Sequence, residues 1–364
     1  MVTRWPWTRQ STESSRRRER AIREALRSDR PRGPTPDTMH RPRLSIAVPC
    51  YNAGATVDVT IRSLVQQDLH DVEIILIDDA SNDDSAALLD GWSRRDPRIR
   101  LIRLETNRGI GEVRNLALHE CRGDYIAFVD ADDWVTRSYH YNLVTAADSL
   151  GVDFVKSDHV RVTGTERTVV LAPAVVRSRS LPPLHAIERL DIATMIDYAF
   201  VWCGVFRREF VVRADLDFGT ELHTAEDRIF TWKAHLRGGS YACISECGYL
   251  YRREGESSLT RIGDLRQLGF LRCVDQTLEL LEAHKASEGL VRKAYRQALA
   301  LIVYHFDRRE RFSPEVWYEY CARTRTLLEA MDLERLRAVY DDFGSRRTEV
   351  IEGLRTGSIS IMER

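Results

Sequence analysis

The segment Tyr125-Ile-Ala-Phe-Val-Asp-Ala-Asp-Asp133 joins a short apolar run directly to three carboxylates. A run of this length that ends in turn-forming residues is typical of a buried strand. Helix-length amphipathic segments, at about 55–68, 85–95 and 111–121, separate it from three earlier runs of the same kind. Those runs are Leu44–Val48, Val72–Ile77 and Ile99–Ile102. The alternation predicts an α/β fold built from repeated β-α units around a sheet.

Polar clusters follow three of the predicted strands. They are Pro49-Cys-Tyr-Asn52, Asp78-Asp-Ala-Ser81 and Asp130-Ala-Asp-Asp133. Ligands of open α/β sheets bind outside the carboxyl ends of the strands, so we expect these clusters to converge on one binding site. Neighbouring carboxylates repel one another unless a cation or hydrogen bonds compensate. Asp also favours turns and helix caps, but the spacing of Asp130 and Asp132 suits one hard cation, Mg²⁺ or Mn²⁺, whose other ligands are water and substrate phosphates.

Composition limits the classes of partner. Lys and Arg total 54 against 55 Asp and Glu, which leaves no global charge for binding nucleic acid. The seven cysteines are odd in number and scattered, unlike a disulfide framework, and they predict a reducing, cytoplasmic environment. The sequence contains no apolar run long enough to predict a membrane span, which needs about 18 residues or more.

Residues 1–42 are predicted to form a basic, flexible tail, because residues 1–40 hold ten Arg against five acidic residues and are interrupted by proline. Two alternatives stay open for the run Arg16–Arg27. It is either a solvated arm or a short basic amphipathic helix that touches anionic lipid. The second alternative would place the protein peripherally at the inner face of the membrane.

Four motifs, taken in order, carry a resemblance to a known family. They are Ser45-Ile-Ala-Val-Pro-Cys-Tyr-Asn52, Ile77-Asp-Asp-Ala-Ser-Asn-Asp83, Asn107-Arg-Gly-Ile-Gly-Glu-Val-Arg-Asn115 and Phe128-Val-Asp-Ala-Asp-Asp133. Together they resemble the inverting family-2 glycosyltransferases over about residues 43–260. The resemblance implies a GT-A fold, in which a Rossmann-like mixed sheet is flanked by helices. It further implies a catalytic domain at 43–262, with a nucleotide-binding half at 43–135 and an acceptor half at 136–262.

The resemblance also implies a donor site for a nucleoside-diphosphate sugar, expected to be a UDP-sugar. Pro49, Tyr51 and Asn52 are expected to seat the base, with Tyr51 stacked on a uracil, and Asp78 to accept a hydrogen bond from the base N–H. Asp130 is expected to contact the ribose beside Ala131, and Asp132 to bind the metal directly. Arg114 is expected either to reach the nucleotide or to brace the Asp130 loop. Arg252 or Arg253 is expected to contact the diphosphate. Gly255 is expected to permit a loop that closes over the diphosphate.

Catalysis needs a carboxylate that takes the proton of a sugar hydroxyl. Asp227, in the segment His223-Thr-Ala-Glu-Asp-Arg-Ile-Phe230, resembles the family's Glu-Asp motif and is the predicted base, with Glu226 orienting the acceptor or the base. A carboxylate at a helix N-terminus is equally favoured by the helix dipole alone. Asp79 is predicted to shape its turn and cap the next helix.

Acceptor recognition is predicted at Trp202, Cys203 and Gly204. Trp202 has the ring for stacking on a sugar, although core packing is an equally good account of a tryptophan here. The family often shows an Asn-Lys pair near this point, and Cys203 and Gly204 depart from it, so the acceptor is not fixed by resemblance.

Beyond about residue 263 the apolar spacing is helical, which predicts a C-terminal helical region at 263–364. The predicted helices are Leu265–Leu281, Leu290–Phe306 and Pro314–Met331.

The predicted function is an inverting hexosyl- or N-acetylhexosaminyltransferase. Its acceptor would be a saccharide, a lipid-linked molecule or a small molecule, in the synthesis of a cell-surface polysaccharide, a glycolipid or a glycosylated metabolite. Two alternatives stay open. One is a non-catalytic sugar-nucleotide-binding or scaffold protein, if the match at Glu226 and Asp227 is accidental. The other is a nucleotidyltransferase, whose Gly-rich, Lys-containing signature is replaced here by Pro49-Cys-Tyr-Asn-Ala53.

Overall fold

A computed structural model of the protein describes residues 41–359, except 188, 190, 191, 220 and 254–262. The predicted tail up to residue 40, with the run Arg16–Arg27, and the predicted closing loop at Gly255 therefore lie outside the described residues.

The strands of the described residues form two sheets. The larger sheet has seven strands in the order β10-β6-β9-β4-β1-β2-β3, and the smaller has four in the order β5-β11-β7-β8. The strands are β1 (Leu44–Cys50), β2 (Val72–Asp78), β3 (Ile99–Arg103), β4 (Tyr125–Phe128), β5 (Trp134–Val135), β6 (Phe154–Ser157), β7 (His159–Thr163), β8 (Glu166–Val170), β9 (Gly204–Arg207), β10 (Tyr241–Ile244) and β11 (Tyr249–Arg252).

The helices lie between and after these strands. They are α1 (Val57–Val65), α2 (Ser85–Arg95), α3 (Ile110–Glu120), α4 (Tyr139–Leu150), α5 (Arg208–Arg213), α6 (Glu226–Leu236), α7 (Gly269–Ala283), α8 (Glu288–Phe306), α9 (Pro314–Ala330), α10 (Leu333–Tyr340) and α11 (Ser345–Thr356). Short 3₁₀ turns stand at Pro183–Ala186, Leu265–Leu268 and Arg309–Arg311.

Strand β1 lies near the middle of the larger sheet and all seven of its residues are buried, as its unbroken apolar run predicts. It pairs in parallel with β2 on one side and β4 on the other. The register places Cys50 beside Asp78, so the residues after these strands meet at one edge. That edge is where the three polar clusters lie.

Strand β9 makes the larger sheet mixed, because it runs antiparallel to both of its neighbours, β4 and β6. The predicted fold class, a mixed α/β sheet flanked by helices with helices at the C-terminal end, is confirmed.

The C-terminal helices support α6, the helix that begins at Glu226. Trp232 of α6 donates from Nε1 to Oε1 of Gln297 in α8 at 3.0 Å. Cys273 of α7 donates from Sγ to the carbonyl oxygen of Ala225 at 3.3 Å. The predicted helices agree with α8 and α9 within two residues, whereas the predicted start at Leu265 is a 3₁₀ turn that precedes α7. Helices α10 and α11 were not predicted, because one is short and the other is strongly charged.

Candidate active site

A buried arginine joins the loop of residues 130–133 to the start of helix α6. Arg114, one turn into α3, donates from Nη2 to Oδ1 of Asp130 at 2.7 Å and from Nη1 to Oε1 of Glu226 at 2.6 Å. The same Nη1 also donates to Oδ1 of Asp227. The Arg114 side chain is only 3% exposed, and its guanidinium carbon lies 5.5 Å from the ring centroid of Phe218. Arg114 therefore braces the Asp130 loop, one of its two predicted roles.

The electrostatics of this cluster follow from burial. Although burial opposes it, the charges of Asp227, Asp130 and Glu226 raise the pKa of Arg114 above its ordinary value. Burial raises the pKa values of both Glu226 and Asp227, against the lowering effect of the Arg114 charge. The three carboxylates and one guanidinium leave a formal excess of negative charge. The cluster is thus a place where a proton or a cation is favourably bound.

Local backbone geometry places the two α6 carboxylates at the helix start. Ala225, directly before the helix, has φ of 65°, a left-handed conformation that is uncommon for a residue with a side chain. Glu226 and Asp227 then occupy the first turn, where the helix dipole favours negative charge. The side chain of Asp227 is 18% exposed and that of Glu226 8%. Asp227 is the better placed of the two to meet a substrate.

The loop of residues 130–133 is fixed from behind. The hydroxyl of Tyr249 donates to Oδ2 of Asp133 at 2.8 Å, and the backbone N–H of Arg252 donates to Oδ1 of the same carboxylate at 2.7 Å. Thr60 of α1 donates to the carbonyl oxygen of Ala131 at 2.9 Å. Asp133 is fully buried, and the hydrogen bonds that its two oxygens accept stabilise the loop.

The carboxylates of Asp130 and Asp132 match part of the ligand set of a divalent cation. Burial and the charge of Asp130 raise the pKa of Asp132 to about 6, so the two carboxylates are held close enough to repel. The charge of Arg252 acts in the opposite direction and lowers the pKa of Asp132. No group of three His, Cys, Asp or Glu side chains suited to a metal occurs among the described residues. Two carboxylates completed by water and phosphate oxygens match the oxygen ligands that Mg²⁺ and Mn²⁺ prefer.

The edge predicted to seat a base lies beside this loop. Tyr51 directly follows β1 and is 45% exposed, so its ring is available for stacking, whereas Pro49 is buried within the strand. Asn52 has φ of 49°, and its side-chain oxygen accepts from the N–H of Asn82 at 2.9 Å. Asp78 is buried and accepts from the N–H of Ser81 at 3.1 Å.

Asp79 does not cap the following helix, so that prediction was wrong. Its two oxygens accept from the backbone N–H groups of Arg108 and Gly109, at 2.7 and 2.9 Å. Helix α2 begins beyond it, after Asp84. Gly109, with φ of 84°, makes this turn possible, and α3 starts immediately afterwards. Asp79 thus sets the position of the helix that carries Arg114.

The two predicted phosphate-binding arginines lie on the rim of the loop. Arg252 donates from Nε to the carbonyl oxygen of Asp132 at 2.8 Å, and its guanidinium carbon lies 4.8 Å from the ring centroid of Trp134. Arg253 donates from Nη1 to the hydroxyl of Tyr251 at 3.1 Å. Arg252 thus directly contacts the loop that carries the predicted metal ligands.

The three predicted acceptor residues are buried. Trp202 is 4% exposed and stacks on Tyr249 with ring centroids 4.3 Å apart, and Cys203 is fully buried. Gly204 begins β9, where an added Cβ would lie 2.1 Å from the carbonyl oxygen of Val155. These residues support the site from within the core. Direct contact of Trp202, Cys203 or Gly204 with an acceptor stays a prediction.

Sequence reasoning missed Lys156 and Tyr249, which the fold brings to the back of the site. Lys156 lies in β6, fully within the core, and Tyr249 in β11 contacts both Asp130 and Asp133. Lys156 had a weak signal, because it directly follows the apolar residues Val152, Phe154 and Val155, where a buried strand would seldom carry a lysine. Tyr249 had none beyond being an aromatic residue in a strand.

No helix of the described residues is long and apolar enough to span a membrane.

Several known proteins are similar to this chain in sequence. Residues 45–212 match the family model described as glycosyl transferase family 2. EpsJ of Bacillus subtilis, named an uncharacterized glycosyltransferase, is 34% identical over 222 residues, which are 61% of this chain and 64% of EpsJ. The succinoglycan biosynthesis protein ExoO of Rhizobium meliloti is 30% identical over 256 residues, 69% of this chain and 71% of ExoO.

A solved structure of S. aureus TarS, residues 1–349, in complex with UDP superposes with a TM-score of 0.63 at 21% identity, covering 88% of this chain and 89% of that one. This likeness concerns the fold. The chain spans slightly less than two thirds of the length of some curated relatives, 64% for EpsJ and 62% for EpsH of Bacillus subtilis. By its family match and its similarity to ExoO, the chain belongs to glycosyl transferase family 2.

Proposed function

We propose that this protein transfers a sugar from a nucleoside-diphosphate sugar, a UDP-sugar, to a hydroxyl group with inversion at the anomeric carbon. One observation carries the proposal: a single buried guanidinium, that of Arg114, holds Asp130 of the donor loop and Asp227 of α6 in one cluster. A donor-binding carboxylate and a base for the acceptor are needed within one substrate length of each other. The Arg114 cluster supplies that proximity.

The relatives support the substrate class. TarS, named a poly(ribitol-phosphate) beta-N-acetylglucosaminyltransferase, has been solved with UDP and with UDP-GlcNAc. ExoO is named for succinoglycan biosynthesis. These names support a hexosyl or N-acetylhexosaminyl donor and a saccharide or lipid-linked acceptor in the synthesis of a surface polysaccharide.

In the proposed reaction the acceptor oxygen attacks the anomeric carbon while the bond from that carbon to the diphosphate oxygen breaks. The acceptor proton passes to the carboxylate of Asp227. Burial raises the pKa of Asp227, which makes it a stronger proton acceptor than an exposed aspartate. Glu226, held by the same Arg114 nitrogen, keeps the first turn of α6 in place.

The leaving diphosphate needs positive charge. A Mg²⁺ or Mn²⁺ ion bound by Asp132 and Asp130 would supply Lewis-acid stabilisation of that leaving group. Arg252, at the end of β11, contacts the loop of residues 130–133 and would contribute a permanent cation beside the diphosphate. Tyr51, which is exposed after β1, would stack on the base of the donor.

The test combines binding with turnover. Thermal unfolding is measured with UDP and a panel of UDP-sugars, each with Mn²⁺, Mg²⁺ or EDTA, and the release of UDP by slow donor hydrolysis is then measured. We expect a metal-dependent rise in melting temperature that Asp132→Asn loses. Asp227→Asn should keep that rise and lower UDP release about 10²-fold or more.

Asp68→Asn is the matched control, since Asp68 is a 45% exposed aspartate whose partner, Arg137, lies outside residues 130–133. The non-catalytic binding alternative would be supported if the wild type binds UDP in the presence of metal but releases no UDP from any sugar nucleotide. No shift with any nucleotide would remove the donor site itself from consideration.

A further inference from the structure

Lys156 is a buried lysine next to the proposed base. It is 3% exposed and stands directly opposite Gly204 where β6 pairs with β9. An added Cβ at Gly204 would lie 3.3 Å from Cδ of Lys156, so the glycine leaves room for the lysine stem to cross the neighbouring strand. The lysine thereby reaches the segment that precedes β9.

The Lys156 ammonium contacts one particular peptide group. Its Nζ donates to the carbonyl oxygen of Phe200. The N–H of the same peptide group, which belongs to Val201, donates to Oδ2 of Asp227 at 3.3 Å. A donor on the carbonyl side of a peptide polarises its N–H and strengthens the bond that this N–H makes.

Asp227 is therefore held from two sides. Arg114 donates to Oδ1, and the peptide that Lys156 anchors donates to Oδ2. Two hydrogen-bond donors, one on each oxygen, fix the rotation of a carboxylate. A general base needs this fixed orientation so that its oxygen faces the hydroxyl of the acceptor. Without Lys156 the carbonyl of Phe200 loses its side-chain donor and keeps the bond from the backbone N–H of Cys203 at 3.1 Å.

We propose that Lys156 is a positioning residue for Asp227, acting through the Phe200–Val201 peptide. This inference rests on the proposed function, in which Asp227 is the base. Lys156 itself does not touch the substrate. It fixes the orientation of the carboxylate and places a positive charge behind it.

The charges around Lys156 support this role. Burial lowers its pKa, while Cys203, Asp227 and Cys243 oppose that effect, and Asp227 is the one carboxylate among them. Reciprocally, the Lys156 charge lowers the pKa of Asp227, as Arg114 does, whereas burial and Asp130 raise it. A buried amine costs stability unless it is compensated. Lys156 thus favours the ionised, proton-accepting form of Asp227 at neutral pH.

The experiment compares three variants with the UDP-sugar that gives the fastest wild-type UDP release in the presence of Mn²⁺. Lys156→Met removes both the hydrogen bond and the charge, and Lys156→Gln keeps a donor without the charge. Lys293→Met is the control, because Lys293 is also a buried lysine, 2% exposed, whose Nζ donates to the carbonyl oxygen of Ile192 at 2.9 Å.

We expect Lys156→Met to keep metal-dependent UDP binding and to lower the rate of UDP release about 10- to 100-fold, a part of what a general base contributes. The acidic limb of the rate profile should move to higher pH, because Asp227 loses a neighbouring positive charge. Lys156→Gln should recover part of the rate of UDP release, whereas the acidic limb of its rate profile should stay at the higher pH. Lys293→Met should lower the melting temperature with an unchanged profile.

Two results overturn the inference in different ways. If the wild type releases UDP and Asp227→Asn does not, but Lys156→Met matches Lys293→Met in rate and pH profile, Lys156 is only structural and the proposed function stands. If the wild type itself releases no UDP from any UDP-sugar, the proposed function fails and the role of Lys156 fails with it.

Discussion

Replacing Arg114 with methionine tests the cluster most directly. The change keeps a long apolar stem and removes the guanidinium that pairs with Asp130, Glu226 and Asp227. Removing one partner of a buried ion pair costs about 3–5 kcal/mol, because the charge left behind stays buried without compensation. At pH 8 we expect a loss of stability of that size in Arg114→Met.

The loss converts to a measurable melting shift. An unfolding entropy of about 2.1 cal/mol/K per residue over roughly 320 residues gives about 0.7 kcal/mol/K, so the melting temperature should fall by roughly 4–7 °C. Calorimetry at pH 8 and pH 6 is the assay. Burial raises the pKa of Glu226 above its ordinary value, so in the variant this carboxyl takes up a proton on acidification and the loss should be smaller at pH 6.

Two further variants test whether uncompensated buried charge causes the loss of stability. Arg114→Met combined with Glu226→Gln removes one of the stranded charges and should restore about 1–2 kcal/mol, a non-additive result expected of residues in one network. Arg346→Met removes a 66% exposed arginine paired with Asp307 and should leave the melting temperature close to that of the wild type, because water screens an exposed ion pair. If Arg114→Met melts like the wild type, or if its loss is equal at pH 8 and pH 6, the electrostatic account of the cluster is refuted.

Three further predictions concern neighbouring features. Gly204→Ala should destabilise the fold by about 3 kcal/mol or more in urea unfolding, because the added Cβ meets the carbonyl oxygen of Val155; an unchanged midpoint would contradict the close strand approach. Tyr249→Phe should cost about 1–3 kcal/mol by the same assay, since Asp133 loses a buried donor, and equal stability would show that water replaces the hydroxyl. Burial raises the pKa of Asp275 to about 7, and a carboxyl with a raised folded pKa loses stability as pH rises from about 4 through about 7. Asp275→Asn should therefore raise the melting temperature more at pH 8 than at pH 5, and an equal change at both would contradict the assignment.

The sequence predicted the elements of the nucleotide-binding half because each depends on local pattern. The apolar runs of β1 and β2 are bounded by turn residues, and helices α1 to α3 carry clear amphipathic spacing. The polar clusters after the strands were predicted to converge, and the parallel register of β1 and β2 brings them to one edge. Antiparallel β9 was not foreseen as an individual strand, because its four residues pair with partners about 50 and 80 positions away.

Roles within the site depended on contacts that no local pattern encodes. The bond from Arg114 to Glu226 spans 112 residues of sequence, and the bond from Tyr249 to Asp133 spans 116. The sequence left Arg114 with two alternatives, and the fold placed it against three carboxylates. The sequence also left Trp202 with two alternatives, stacking on a sugar or packing in the core, and the structure shows it buried against Tyr249.

The sequence by itself determined the family resemblance, the fold class and the carboxylates that crowd one sheet edge, because strand and turn preferences act over a few residues. Only the tertiary structure decided which partner each charged side chain meets. Lys156 shows the difference, since nothing near it in sequence indicates that it lies opposite Gly204 and contacts the peptide that holds Asp227. Burial makes such pairings energetically decisive, because a charge removed from water must find its compensation wherever the fold provides it.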